Sequence, residues 1–323
     1  QLRYGKLDVL KQVYEENKLA IAQLWSDSDS DLRRWFAKNP WVVEYTVFME
    51  LKREFMEASW RQWPKKYSSM KEAKIVERWE DRNLRAAHLF HVWMQWRAFE
   101  QFQQAAEAVQ EKGIMLKGDI PIGVSPTSVD VWCAPHLYNL SASAGAPPDA
   151  FAEDGQNWGF PTYNWARMRE DGYAWWCARL KKMARYFDAY RIDHILGFFR
   201  IWEVPRTMKS AILGYFNPSK PYSEQEIASF GFEFDAELHT SNEESPKDVL
   251  FVRYPYAEGY TPRIEGYKTE RFQWLSDQAK DAFMRIHDDF YYRRHNDFWR
   301  DCAMKRLPAL MASSSMLTCG EDL

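Results

Sequence analysis

Apolar residues recur at helical spacing through the opening of the chain and gather into short strand-like runs after it. Leu7, Leu10, Tyr14, Ile21 and Leu24 predict a helix over 7–25. The acidic run from Asp27 to Asp31 then opens a helix over Leu32–Lys38, and Asn39-Pro40 stops it. The same run has the look of a calcium loop, but Leu32 stands where that loop needs glycine and Lys38 where it needs glutamate. Tyr45, Phe48 and Phe55 share one face of a helix over Trp41–Phe55, and Trp60–Pro64 is a break. Residues 70–112 are helical in two pieces divided near Asp81–Asn83, with Gly113 at a C-cap position.

From Ile114 the texture changes. Ile114–Gly123 predicts a short apolar strand with a polar end, and a loop-rich stretch follows over 124–171. A helix over 172–186 leads into a buried strand at Phe187–Asp193. Residues 206–216 have helical character, and 217–271 are rich in Pro, Gly, Tyr and charge around a strand-like Val249–Tyr254. A long helix over 276–306, ended by Pro308, precedes a last strand at Met316–Gly320. Repeated helix and strand in this order predicts a parallel sheet. Asp119, Asp193 and Glu321 terminate the three sheet strands, which suggests one shared acidic pocket. The plainer reading, acids that cap the helices after buried strands, stands beside it.

Composition narrows the function classes. The 323 residues are 46% hydrophobic and 28% charged, as in a globular chain. Lys+Arg is 43 against 46 Asp+Glu, and the net charge of −3 disfavours a nucleic-acid partner. No apolar run reaches the length of a membrane span, so a membrane partner is not expected. The cysteines, Cys133, Cys177, Cys302 and Cys319, lack the spacing of a zinc site or disulfide framework, which points to reduced thiols in a cytoplasmic protein. With 16 Trp, 17 Tyr and 20 Phe, the chain has rings enough for large cores and for stacking on flat ligands such as sugars.

Arg191-Ile192-Asp193-His194 carries the most chemistry. Residues two apart on a strand face one side, so Arg191 and Asp193 point together. A guanidinium beside a carboxylate favours the ionised form that a nucleophile needs, and a structural ion pair has the same look. Glu321 is a second carboxylate at another strand end. If the two approach, mutual charge should raise one pKa and leave an acid beside a base, the minimum for glycosyl transfer.

Gly118-Asp-Ile-Pro-Ile-Gly-Val124, Ser128-Val-Asp130-Val-Trp132, Pro147-Pro-Asp149-Ala-Phe151, Gly155-Gln156-Asn-Trp158-Gly159-Phe-Pro161, Gly172-Tyr-Ala-Trp175-Trp176, Arg191-Ile-Asp193-His194 with Gly197-Phe198, and Cys319-Gly-Glu321-Asp322-Leu323 occur in this order. Together they resemble the 4-α-glucanotransferases, or amylomaltases, of glycoside hydrolase family 77. Tyr45-Thr-Val-Phe48 and Trp63-Pro64 resemble that family's helical subdomain. The resemblance implies an α/β fold, a partial (β/α)₈ TIM barrel with a helical subdomain and long inserted loops. It implies a helical subdomain at 1–83 and barrel strands about 3 to 5 at 84–323, with substrate loops at 124–171.

It further implies transfer of α-1,4-glucan segments to glucose or another glucan, with retained configuration and no metal or organic cofactor. Asp193 matches the nucleophile, Glu321 the acid/base and Arg191 the nucleophile's hydrogen-bonding partner. Asp149, Gln156 and Trp158 match the glucan-holding loop. For Trp158 the plain alternative is core packing. His194, Asp130 and Asp119 lie in matching motifs, and for Asp119 a structural bond at the barrel rim is an equal reading. Asp193 and Glu321 are 128 positions apart, where one βα unit takes roughly 30 residues, so most of 205–275 reads as an insertion. Neither end reads as a natural terminus. The family's first strand and third carboxylate have no counterpart here, so the expectation is the middle of a longer enzyme, nearly inactive alone. A clan-related hydrolase and a non-catalytic glucan-binding piece are the rival readings.

Overall fold

A computed structural model of the chain describes residues 2–208, 210–240 and 248–322, with side chains from residue 5 onward. Two compact units form. The first runs through Leu116 and takes in Thr127–Pro135 and Arg185–Phe187. The second holds Lys117–Pro126, His136–Ala184 and the chain from Asp188 on. The first unit thus includes Arg85–Gln110, a helix the sequence reading placed with the barrel.

The first unit is helical because its apolar residues recur three and four apart. On Arg85–Gln110, Leu89, Val92, Trp93 and Trp96 bury one stripe. That stripe packs against helices Asp31–Ala37, Trp41–Glu54 and Glu72–Glu80. Ser30 starts the first of these, its hydroxyl accepting from the Arg33 amide at 3.1 Å. Aromatic rings fill the interior: Phe36 stacks on Trp79 at 5.4 Å, and Trp79 on the buried His88 at 5.2 Å. Much of the aromatic excess is therefore core.

The second unit carries the strands, eleven among the described residues: β1 (Lys117–Ile120), β2 (Tyr138–Asn139), β3 (Ala142–Ala146), β4 (Gln156–Asn157), β5 (Thr162–Tyr163), β6 (Ala189–Ile192), β7 (Ile201–Pro205), β8 (Tyr215–Asn217), β9 (Phe251–Arg253), β10 (Tyr260–Pro262) and β11 (Leu317–Gly320). β1, β6 and β11 form a parallel sheet in that order, with β6 in the centre. Its register sets Asp119 and Cys319 on either side of Arg191. Helix Ala174–Met183 lies between β5 and β6 in the chain.

A second sheet, antiparallel in the order β4-β3-β7-β8, was hidden in the sequence. Three of its neighbours come from the stretch read as loop and from the segment read as the helix 206–216. Among the described residues of that predicted helix, only Ala211–Leu213 coils, as one short 3₁₀ turn, and Tyr215–Asn217 extends and pairs with β7. The predicted helix over 276–306 also divides, into Asp277–Tyr292 and Asn296–Met311. The buried His295 ring at the break accepts the Lys220 amide at 2.9 Å and stacks on Trp299 at 4.6 Å. Pro308 lies inside the second helix, near its end, where it removes a single backbone bond. The insertion has its own core: Tyr222, Ile227, Phe232, Leu250 and Phe251 bury against Phe283, Ile286 and Phe290 of helix Asp277–Tyr292. No described helix is long and apolar enough to cross a membrane.

Candidate active site

Three carboxylates converge on one guanidinium at the C-terminal ends of the parallel strands. Arg191 donates through Nε and Nη2 to both oxygens of Asp119, at 3.0 and 2.7 Å. The same Nη2 reaches Asp193 Oδ1 at 3.3 Å, and Nη1 reaches Glu321 Oε1 at 2.5 Å. Alternation along β6 explains why Arg191 and Asp193 share a side, and the strand order explains why Asp119 and Glu321 flank them. One positive charge faces three negative ones, and the side chains stay partly open to solvent.

The turn after β6 completes the cluster. His194 adopts a left-handed conformation, φ 48°, and its backbone N–H donates to Glu321 Oε2 at 2.9 Å. That hydrogen bond, with the Arg191 guanidinium, holds the Glu321 carboxyl below its ordinary range. Mutual charge was expected to raise one member of the acid pair; Glu321 is instead lowered, because its donors outweigh the cost of burial. The Arg191 guanidinium is held above its ordinary value, first by Asp119 and then by Glu321. Burial lowers the His194 ring, so it favours the neutral form. Asp193 is anchored at both ends: its amide donates to Ile120 at 3.2 Å, and its Oδ2 accepts the Ile122 amide at 3.5 Å.

The loop between β3 and β5 reaches this turn. The Trp158 ring meets His194 edge to face, with centroids 5.0 Å apart, and stacks on Phe160 at 5.7 Å. Trp158 Nε1 donates to Gln156 Oε1 at 3.0 Å. Backbone bonds from Trp158 to Ala144 (2.9 Å) and from Ala144 to Phe160 (2.8 Å) fix the segment to β3. Close approach matters at two glycines: a Cβ on Gly145 would lie 2.0 Å from the Gln156 carbonyl, and one on Gly123 would lie 2.5 Å from the Phe160 ring. Trp158 is half-buried, so its ring serves neither as pure core nor as a free platform.

Of the residues singled out from the sequence, Asp119, Arg191, Asp193, His194, Glu321, Trp158 and Gln156 thus form one connected group. Asp149 is exposed and uses its Oδ1 on its own loop, accepting the Phe151 and Ala152 amides at 2.7 Å each. Asp130 belongs to the first unit, in the first turn of helix Val129–Cys133. Leu323, the last residue of the Glu321 motif, lies outside the described residues. Among the described residues, no cluster of His, Cys, Asp and Glu is arranged to hold a metal.

One carboxylate escaped the sequence reading. Glu203, in β7, is fully buried. Its Oε1 accepts from the Thr162 hydroxyl, from Asn217 at 2.8 Å and from Asn139 at 3.3 Å. Its Oε2 accepts from the Tyr256 hydroxyl at 2.8 Å. Burial pushes this carboxyl up, and the four donors oppose the shift. An acid inside the apolar run Ile201-Trp202-Glu203-Val204 was the available signal.

Comparison with known proteins now bears on this geometry. A family model described as 4-alpha-glucanotransferase, of glycoside hydrolase family 77, matches residues 1–323. The chain is 32% identical to 4-alpha-glucanotransferase DPE2 of Oryza sativa subsp. japonica, over 99% of this chain and 40% of the rice protein. It is 34% identical to the 4-alpha-glucanotransferase of Synechocystis sp., over 66% of this chain and 43% of that protein. The chain therefore spans less than half the length of these relatives. Among solved structures, an amylomaltase from Streptococcus agalactiae in complex with acarbose superposes with a TM-score of 0.55 at 22% identity, over 95% of this chain and 69% of that one. The shared fold is α/β and of the TIM-barrel kind. On the family model's match to its full length, the chain belongs to the 4-alpha-glucanotransferase family, glycoside hydrolase family 77.

Proposed function

We propose that this chain supplies the nucleophile and the acid/base of a retaining 4-α-glucanotransferase. In this reading β1, β6 and β11 are about the third to fifth strands of a (β/α)₈ barrel, and the helical unit and residues 205–275 are insertions in it. The observation that carries the reading is the bridge from Arg191 to both Asp193 and Glu321 at the ends of adjacent parallel strands.

Asp193 attacks C1 of an α-1,4-linked glucan while Glu321 gives its proton to the departing glycosidic oxygen. The product is a β-linked glycosyl-enzyme and a released reducing-end segment. The 4-hydroxyl of glucose or of another glucan then enters, Glu321 takes its proton, and the new bond restores the α configuration. Glu321 must hold a proton in the first step. Its donors, His194 N–H and Arg191, favour the ionised form in the open cleft. A sugar that displaces water and draws Arg191 towards Asp193 shifts the balance towards the acid. Transfer outruns hydrolysis when the Trp158 loop keeps water away while the acceptor binds. Asp149, Gln156, His194, Asp130 and Asp119 are proposed as glucan contacts.

Maltotriose is the deciding substrate. A ladder of longer glucans from the intact protein supports transfer. Glucose and maltose alone would support the clan-related hydrolase instead, and no product would leave a glucan-binding piece.

A further inference from the structure

Glu203 presents an unusual problem for a protein interior. A buried carboxylate is costly without a partner of opposite charge or a full set of hydrogen bonds. None of its hydrogen-bond partners is a cation: Thr162, Tyr256 and Tyr215 bring hydroxyls, and Asn139 and Asn217 bring amides. They come from several parts of the second unit. Asn139 is in β2 and Thr162 in β5, and these two paired residues bracket the loop that holds Asp149, Gln156 and Trp158. Asn217 ends β8. Tyr256 lies between β9 and β10, within the insertion.

The ties continue outward from both ends. Asn139 also donates to the Thr162 hydroxyl at 3.0 Å, which closes a triangle with Glu203 at the base of the loop. On the insertion side, the Tyr254 hydroxyl donates to Asn217 Oδ1 at 3.0 Å and accepts the Ser219 amide at 3.0 Å. At its far end the loop sets Trp158 against His194, whose N–H donates to Glu321.

We propose that Glu203 is a positioning residue: it clamps the base of the Trp158 loop to the 205–275 insertion, so that the insertion braces the segment that excludes water from the transfer site. The inference rests on the glucanotransferase reading for its kinetic consequence, while the clamp itself stands on geometry alone. It gives the insertion a task at the site without any contact between insertion and sugar.

The test uses the intact protein and three variants of graded severity. Tyr256→Phe removes one of the insertion's donors and leaves Asn217, and Thr162→Val removes one of the loop base's and leaves Asn139, each at nearly constant volume. Glu203→Gln keeps an oxygen for the three Oε1 donors and turns an amide N–H towards the Tyr256 oxygen. With maltotriose, the ratio of hydrolysis to transfer rises at least about threefold in Tyr256→Phe and in Thr162→Val and stays within about twofold of wild type in Glu203→Gln, since a positioned acceptor outcompetes water only while the site is closed. Limited proteolysis between Pro148 and Pro161 tests the clamp without reference to activity: cleavage quickens in the first two variants and not in the third. Variants that retain the parent melting temperature, show parent-like cleavage rates and leave the product ratio unmoved would overturn the proposal. If the wild type makes no transfer products, the glucanotransferase reading fails and cleavage alone decides the clamp.

Discussion

The second unit holds two carboxylate clusters built on opposite principles. At the strand ends, Asp119, Asp193 and Glu321 share one guanidinium and face solvent. Within β7, Glu203 is buried, and among the described residues its hydrogen-bond donors are neutral. The first arrangement keeps charge mobile: Arg191 can trade one partner for another at small cost, because water screens what it leaves. The second fixes charge in place, because each lost donor leaves a buried acceptor short. Reaction chemistry suits the first kind of cluster and framework suits the second.

Substitutions should separate the two sharply. Asp193→Asn is expected to lower transfer from maltotriose at least about 10³-fold, with little change in melting temperature, as for loss of a nucleophile. Arg191→Lys comes next, at about 10²-fold in kcat/KM, because an ammonium cannot reproduce the paired bonds to Asp119 while reaching Asp193 and Glu321. Glu203→Ala should reverse the pattern, costing about 3 kcal/mol in urea unfolding because four donors lose their acceptor inside the protein.

The smallest effect is also the most discriminating. The Glu321 carboxyl lies below its ordinary range in the folded protein. Its contribution to stability is complete above the unfolded pKa, about 4.3, and is lost as pH falls through the folded value. The Glu203 carboxyl is pushed up by burial. Its ionisation therefore costs stability as pH rises from the unfolded pKa towards the folded one, and the cost is absent below the unfolded pKa. Urea unfolding over about pH 3 to 7 should lose acid sensitivity in Glu321→Gln and gain stability near neutrality in Glu203→Gln. Slopes that change in the same direction would erase the distinction.

The strand-end cluster was legible in the sequence because it needs only local rules. Alternation turns Arg191 and Asp193 to one side, and helix–strand order sets Asp119 and Glu321 on neighbouring strands. The Glu203 cluster obeys no local rule. Its donors stand 14, 41, 53 and 64 positions away and meet through short strands of two to five residues, too brief to print a period. Its donors are neutral polar residues common in loops, so the acid within an apolar run was the one cue. The helix expected over 206–216 shrank for a related reason. Its described helical part is the single turn Ala211–Leu213, and Tyr215–Asn217 extends because β7 supplies a partner far off in sequence from any local cue. Long helices such as Arg85–Gln110 were plain because many turns repeat one stripe.

Gly123 concentrates a great deal of leverage in one hydrogen atom. The Phe160 ring occupies the space a methyl group would need, and Trp158 leans on Phe160 and touches the histidine turn. The ring sequence Phe160, Trp158, His194 works as a gear train whose first tooth is the absence of a side chain. The residue before Gly123, Ile122, donates its amide to Asp193 Oδ2 at 3.5 Å, so the same position also borders the strand-end cluster. On the glucanotransferase reading, Gly123→Ala is expected to shift the ratio of transfer to hydrolysis by displacing Phe160 and, through it, Trp158.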